Sequence, residues 1–384
     1  MSPDDSRGGR RDRFLYCLKV FLALRIGLMI LGYLAVAVIP ARDLVSVPGW
    51  ADHAFTPGLH NLFTAFEKQD ALWFLRIATG GYRLGDGSAA FFPLYPLLIR
   101  GVSFVIGGHP LAAALLVSNL SFLGALCALY SLTASEFSED VARKTVLFIC
   151  VFPTSFFFLA PYSESLFLLL SLTSFWGARK GKWWLAGVAG AGAALTRSIG
   201  ILLVPALAVE AVHQWRKHKG GLAVKLAWAG VPALGTLVYL AWWQIRAENW
   251  KAPLEFQANW DRHPAFPLTT LVKATTAAWN NGAYWLLDWL VVVPVLAVAV
   301  YAVFKLRPTY SVYTWACIVA PLCLIWDTRP LMSMSRFVVV IFPVFWGVAL
   351  LVEKRRISQD LVVAVGTAGL ALMAVLFVNA YFVF

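Results

Sequence analysis

Apolar residues run in long blocks along this chain, and the interruptions between them are short and mostly basic. The first block begins near Phe14 and extends for about 26 residues, enough to cross a bilayer core with some tilt. No small-residue cleavage site follows it, so it reads as a retained anchor. Further apolar runs occupy roughly 109–134, 145–160, 163–178, 183–195 and 199–212, then 222–245, 283–304, 310–327, 336–352 and 361–383. Several fall short of the ~20 residues of a full span. A helix over 93–106 is expected to dip and return, because a crossing there would reverse the side of everything after it.

One stretch departs from this pattern. Glu67 to Arg100 reads EKQDALWFLRIATGGYRLGDGSAAFFPLYPLLIR, crowded with aromatics and glycine turns. From Leu59 to Thr79 no Pro or Gly intervenes, and Phe63, Phe66, Trp73, Phe74 and Ile77 recur at spacings of three and four. The spacing predicts one amphipathic interfacial helix, ended by Gly80 and Gly81. Asp70 lies one turn from Phe74, which sets an acid at the edge of an aromatic face near the membrane surface. The plainer reading is that Asp70 and Glu67 solvate that helix.

Composition makes the class firm. Of 384 residues, 60% are hydrophobic and 14% charged, which excludes a soluble multidomain protein and gives an all-α polytopic membrane protein of about 10–12 transmembrane or re-entrant helices. The formal charge of +12 is explained by basic clusters at membrane boundaries, so nucleic acid is not an expected partner. The positive-inside rule puts the tail 1–13 and the clusters at 179–182, 216–225, 305–307 and 353–356 in the cytoplasm. Two large loops, 40–92 and 246–282, then fall outside. No repeat or separable soluble domain is visible, so 1–384 counts as one membrane domain. The five cysteines lie in apolar runs without paired spacing and read as buried thiols. The histidines give no metal-ligand pattern, and no phosphate-cradling Gly-rich motif precedes a helix with a Lys, so ATP-driven chemistry lacks support.

An ionisable residue at the centre of a membrane helix costs about 2.5–3.5 kcal/mol, so each needs a partner, a polar cavity or an interfacial position. Glu164 in FLAPYSESLF, Arg197 in AALTRSIG, and Asp327 and Arg336 at the two ends of DTRPLMSMSR all thread to the side of Asp70. Arginines beside a carboxylate suit an anionic phosphate leaving group held near a general base; the alternative is a surface ion-pair network. The second outer loop adds FQANWDRHP, with Asp261, Arg262 and His263. Arg25, within the first block, reads as a packing or snorkelling residue. Asp70, Glu164 and Asp327 offer oxygen donors of the kind a divalent metal takes, an option the sequence leaves open.

DALWFLRIATGGY, AFFPLYPLLIR, FPTSFFFLAPYSESLFLLLS, ALTRSIG and SMSRF, in that order between about Gln69 and Phe345, resemble the PIG-V-like mannosyltransferase family. The resemblance implies a GT-C fold, a polyprenyl-phosphate-mannose donor, and an extracytoplasmic site in which Asp70 occupies the place of the catalytic base. It implies a lipid-linked or glycolipid acceptor and no redox cofactor. A prokaryotic chain would sit in the plasma membrane and a eukaryotic one in the endoplasmic reticulum membrane. The family usually shows Trp before this Asp, where this chain has Gln69. On this reading Arg197 and Arg336, with Arg262 in reserve, hold the donor phosphate, and Tyr82, Tyr95, Tyr162, Glu164 and His263 line the substrate site. A lipid or solute transporter is the rival class, but no matching pair of interrupted helices supports it.

Overall fold

Proline and glycine cut the apolar blocks into more and shorter helices than the blocks alone suggest. The computed structural model describes residues 3–39, 46–47, 50–51, 58–258 and 262–381. The chain opens with α1 (Pro3–Val38), a small antiparallel pair β1 (Ser46–Val47) and β2 (Trp50–Ala51), and the short helices α2 (Asn61–Thr64), α3 (Asp70–Gly80) and α4 (Leu94–Val105). Then come α5 (Pro110–Glu136), α6 (Glu139–Cys150), α7 (Glu164–Arg179), α8 (Trp183–Thr196), α9 (Leu203–His218) and α10 (Leu222–Ala247). The last third holds α11 (Ala252–Ala258), β3 (Arg262–Pro264), α12 (Pro267–Asn281), α13 (Ala283–Val303), α14 (Pro308–Leu322), β4 (Leu324–Trp326), α15 (Met334–Val338), α16 (Phe342–Glu353) and α17 (Gln359–Val378).

Among the described residues six helical segments are long and apolar enough to cross a membrane: Gly9–Val38, Pro110–Glu136, Ser198–His218, Leu222–Ala247, Ala283–Val303 and Gln359–Val378. At 12 residues α4 is about 18 Å long, short of a ~30 Å hydrocarbon core. Ile26, Leu34, Leu237, Val238 and Phe104 are exposed on outward helix faces, as lipid contact requires. Helices pack closely where side chains are small: a Cβ on Gly187 of α8 would lie 2.8 Å from the Trp228 carbonyl oxygen of α10. Arg25 donates Nη1 to the Leu159 carbonyl at 3.3 Å, from α1 into the bundle.

Three expected helices are broken. The run 145–160 is helical only to Cys150, because Pro153 lacks the N–H a continuing helix needs; a 3₁₀ turn over Ser155–Phe158 follows. The run 336–352 splits between Val338 and Phe342, ahead of Pro343 in the first turn of α16. The predicted helix Leu59–Thr79 is α2 and α3, separated at Gln69, whose φ of 52° and ψ of −115° lie outside the helical range. No Gly or Pro marks this last break. Tertiary contacts impose it: Tyr162 Oη donates to the Lys68 carbonyl at 2.9 Å, and Trp50 Nε1 donates to Glu67 Oε1 at 2.9 Å. Glu67 and Lys68 are consequently buried rather than facing water.

Candidate active site

The break at Gln69 makes Asp70 the first residue of α3, where the free N–H groups of the first turn favour a negative side chain. At the other end, Gly81 adopts φ 72° and its N–H closes on the Ile77 carbonyl at 2.9 Å, as Gly past a helix end does. Glu164 is likewise the first residue of α7, and Arg197 sits in extended backbone between α8 and the turn Ser198–Leu202. Arg336 comes from α15, on the segment after β4.

These four side chains form one cluster. Glu164 Oε1 accepts from Arg197 Nη1 at 2.5 Å and from Arg336 Nε. Arg336 Nη1 reaches back to Asp70 Oδ2, so one guanidinium bridges both carboxylates. Its plane lies over the Tyr162 ring at 4.7 Å and the Phe157 ring at 5.4 Å, which fixes its orientation. Arg197 also donates to Ser163 Oγ at 3.3 Å and lies 5.5 Å over the Phe337 ring. Exposure separates the two acids: the Asp70 side chain is 29% accessible and that of Glu164 is 0%. Glu164 therefore fastens the arginines, and Asp70 is the carboxylate a substrate can reach.

Arg262 joins from the second long loop, after α11. β3 pairs antiparallel with β4, Arg262 opposite Trp326, which carries the loop onto the segment leading to Arg336. Its Nη2 donates to Ser333 Oγ at 3.2 Å and to the Met332 carbonyl at 3.4 Å. Burial pushes the Arg262 guanidinium down from its ordinary value, the Asp70 charge partly offsets this, and Arg336 adds to it. For Arg336, burial opposes the charge, but Glu164 and Asp70 outweigh it and hold the guanidinium firmly protonated. Burial and the Asp70 charge push the Tyr162 phenol well up, so it stays a neutral donor.

Of the other expected site residues, Tyr162 forms the floor under Arg336. Tyr95 is buried beneath α3, its ring edge-on to Phe74 and its hydroxyl 2.7 Å from Ser118 Oγ. Tyr82 donates to the Phe91 carbonyl at 2.7 Å and belongs to an aromatic group with Tyr239, Trp242 and Trp243. His263 alternates to the opposite face of β3 from Arg262 and lies 3.5 Å from Asp327. Asp327 is half-exposed and also binds Lys273 at 2.7 Å, so the three carboxylates considered for a metal do not converge. Asp70 and Glu164 are already neutralised by arginine, and among the described residues no group of three His, Cys, Asp or Glu could hold an ion. Among the described residues the donor set does not fit a metal. Asp261 lies outside the described residues. Sequence reasoning missed Phe157, Ser163 and Thr154; the last donates Oγ1 to the Ser335 carbonyl at 2.9 Å, next to Arg336. Their signal was the polar Thr-Ser and Tyr-Ser pairs that flank the Phe run in FPTSFFFLAPYSES.

A mostly helical frame with several membrane-crossing helices is the fold of the GT-C glycosyltransferases. ArnT from Cupriavidus metallidurans, solved bound to undecaprenyl phosphate, superposes with a TM-score of 0.50 over 95% of this chain and 76% of that one, at 13% identity. The mannosyltransferase (PIG-V) family model matches residues 14–219, more than half of the chain, and the protein belongs to that family. The match ends before Arg262 and Arg336. A rat GPI alpha-1,6-mannosyltransferase 2 is 30% identical over 203 residues, covering 49% of this chain and 40% of the relative. A GPI mannosyltransferase 2 from Yarrowia lipolytica is 39% identical over 90 residues, 23% of this chain and 25% of the relative. The chain thus spans well under half the length of the curated relatives it matches.

Proposed function

We propose that this protein is an inverting glycosyltransferase that moves mannose from a polyprenyl-phosphate carrier to a hydroxyl of a membrane-anchored glycolipid, on the extracytoplasmic face. The observation that supports this most directly is the partly accessible Asp70 carboxylate, bridged through Arg336 to Glu164 and Arg197. Asp70 takes the proton of the acceptor hydroxyl as its oxygen bonds to the anomeric carbon, and the bond from that carbon to the phosphate oxygen breaks. The electron pair of that bond leaves with the lipid phosphate. Such an anion needs orientation and charge neutralisation more than protonation, and Arg197, Arg336 and Arg262 provide both.

The test is transfer by the purified protein in nanodiscs, supplied with a total lipid extract as acceptor pool and either polyprenyl-phosphate mannose or a nucleotide-linked mannose, both radiolabelled. Label should appear in a new glycolipid, separated from the donor by chromatography, from the polyprenyl donor alone. Transfer from the nucleotide donor would overturn the donor class. The membrane side is read separately in a variant freed of its five native thiols. A cysteine at the exposed position Arg83 should react with an impermeant maleimide in intact cells, and one at Lys217 should not. The reverse pattern would put Asp70 on the cytoplasmic side.

A further inference from the structure

Asp288 is the lone carboxylate of an apolar helix, α13, and it is 1% exposed. Nothing in the charge cluster described above touches it. A buried acid in a membrane-crossing helix persists at a cost, so what it holds is informative. Its Oδ2 accepts from Arg329 Nε at 2.7 Å, and its Oδ1 faces Ser335 Oγ at 3.4 Å. The Arg329 guanidinium lies 4.9 Å over the ring of Tyr284, from the first turn of the same helix.

Arg329 and Ser335 are the two ends of the segment that delivers Arg336. Between them Ser333 has φ 64°, a conformation that a non-glycine side chain adopts only when its surroundings fix it. Arg262 grips that turn at Met332 and Ser333, and Thr154 holds the Ser335 carbonyl. Asp288 ties both ends to helix α13, with Trp285 Nε1 of the same helix donating to the Thr328 carbonyl at 2.8 Å beside the first. Cutting it loose lets the peptide before Arg336 shift, and an arginine that must satisfy two carboxylates loses aim with a small displacement.

We infer that Asp288 is a positioning residue for the transfer reaction, acting on the donor phosphate site through Arg329, Ser335 and the orientation of Arg336. This rests on the proposed mannosyl transfer. The experiment is a double-mutant cycle in the nanodisc assay, with Asp288→Asn and Arg336→Lys singly and together, each checked for an unchanged melting temperature. Asp288→Asn keeps the shape of the side chain and removes its charge. Each single variant should lower kcat/KM for polyprenyl-phosphate mannose about tenfold. If Asp288 acts through Arg336, the double variant falls little further than the worse single one. A fall near the product, about a hundredfold, means independent effects and overturns the inference. Should Asp288→Asn fail to fold, Ser335→Ala, which leaves the Asp288–Arg329 pair intact, takes its place with a smaller effect and the same criterion. A wild-type protein that transfers no mannose overturns the functional reading itself, whereas normal transfer with additive variants overturns this role of Asp288 alone.

Discussion

The two ends of α7 carry two charge clusters with nearly the same inventory and opposite degrees of completion. Glu164 begins the helix and Arg179 ends it, about 24 Å apart over 16 residues. At the Arg179 end, Glu136 Oε1 accepts from Arg179 and from Tyr310 Oη at 3.1 Å, and its Oε2 from Arg307 at 3.0 Å. Glu210 Oε1 accepts from Arg179 at 3.0 Å and Gln214 at 2.9 Å, and its Oε2 from Thr309 at 3.0 Å. Every carboxylate oxygen there has a partner. At the other end Glu164 Oε2 is buried without one, and Asp70 gives Arg336 one oxygen while its side chain stays open. Two acids and two arginines make a structural fastener when all their hydrogen bonds close; with some left open they suit the reactive site proposed above.

The sharpest way to break that comparison is to remove charge at each end. Asp70→Asn keeps the shape but cannot take a proton, so turnover should fall about 10²–10⁴-fold with an unchanged melting curve. Near wild-type turnover would end the assignment of Asp70 as base. Glu210→Ala should do the reverse, costing about 3–5 kcal/mol of stability because Arg179 is left partly unpaired in a buried site. Denaturation in detergent measures this, while turnover per folded molecule stays near wild type. A loss of turnover without a loss of stability would mean that the second cluster is not merely a fastener.

Milder changes probe the open cluster further. Arg197→Lys keeps the charge but loses the planar fork, and should raise the apparent constant for polyprenyl-phosphate mannose about tenfold with little change at saturation. An unchanged constant would place the phosphate elsewhere. The smallest effect belongs to Asp327, whose hydrogen bond with Lys273 holds its carboxyl below the ordinary 3.8. A depressed carboxyl contributes stability above that value and loses it as pH falls through the lowered one. Asp327→Asn should thus melt marginally below wild type at pH 7, with the difference shrinking as pH falls below the ordinary carboxylate value, and transfer mannose normally.

How far the sequence foretold this depends on the kind of signal. Asp70, Glu164, Arg197 and Arg336 stood out because charge among apolar neighbours needs a reason, and that cost is local in the chain. The breaks near Pro153 and Pro343 carried an equally local mark, the missing N–H, which the reading by apolar runs passed over. The break at Gln69 has no such mark, since it is imposed by Tyr162 and Trp50 from elsewhere in the sequence. The directions of Tyr82, Tyr95 and His263 were likewise hidden. Strand alternation turns His263 away from Arg262, but β3 itself exists only because β4 pairs with it. Asp288, a solitary acid in an apolar run, went unremarked because its partner Arg329 lies on a different segment.

The shared guanidinium of Arg336 links two events that could otherwise fall out of step. In the proposed reaction Asp70 becomes neutral when it accepts the acceptor's proton, and Arg336 then loses one of its two counter-charges. The site becomes more positive by one charge as the departing phosphate gains a negative one. Base and leaving group, on opposite sides of the sugar carbon, are thereby synchronised through a single side chain. Deprotonation that ran ahead of bond cleavage would leave the pocket underscreened, and cleavage that ran ahead would leave the phosphate facing an arginine still occupied by Asp70.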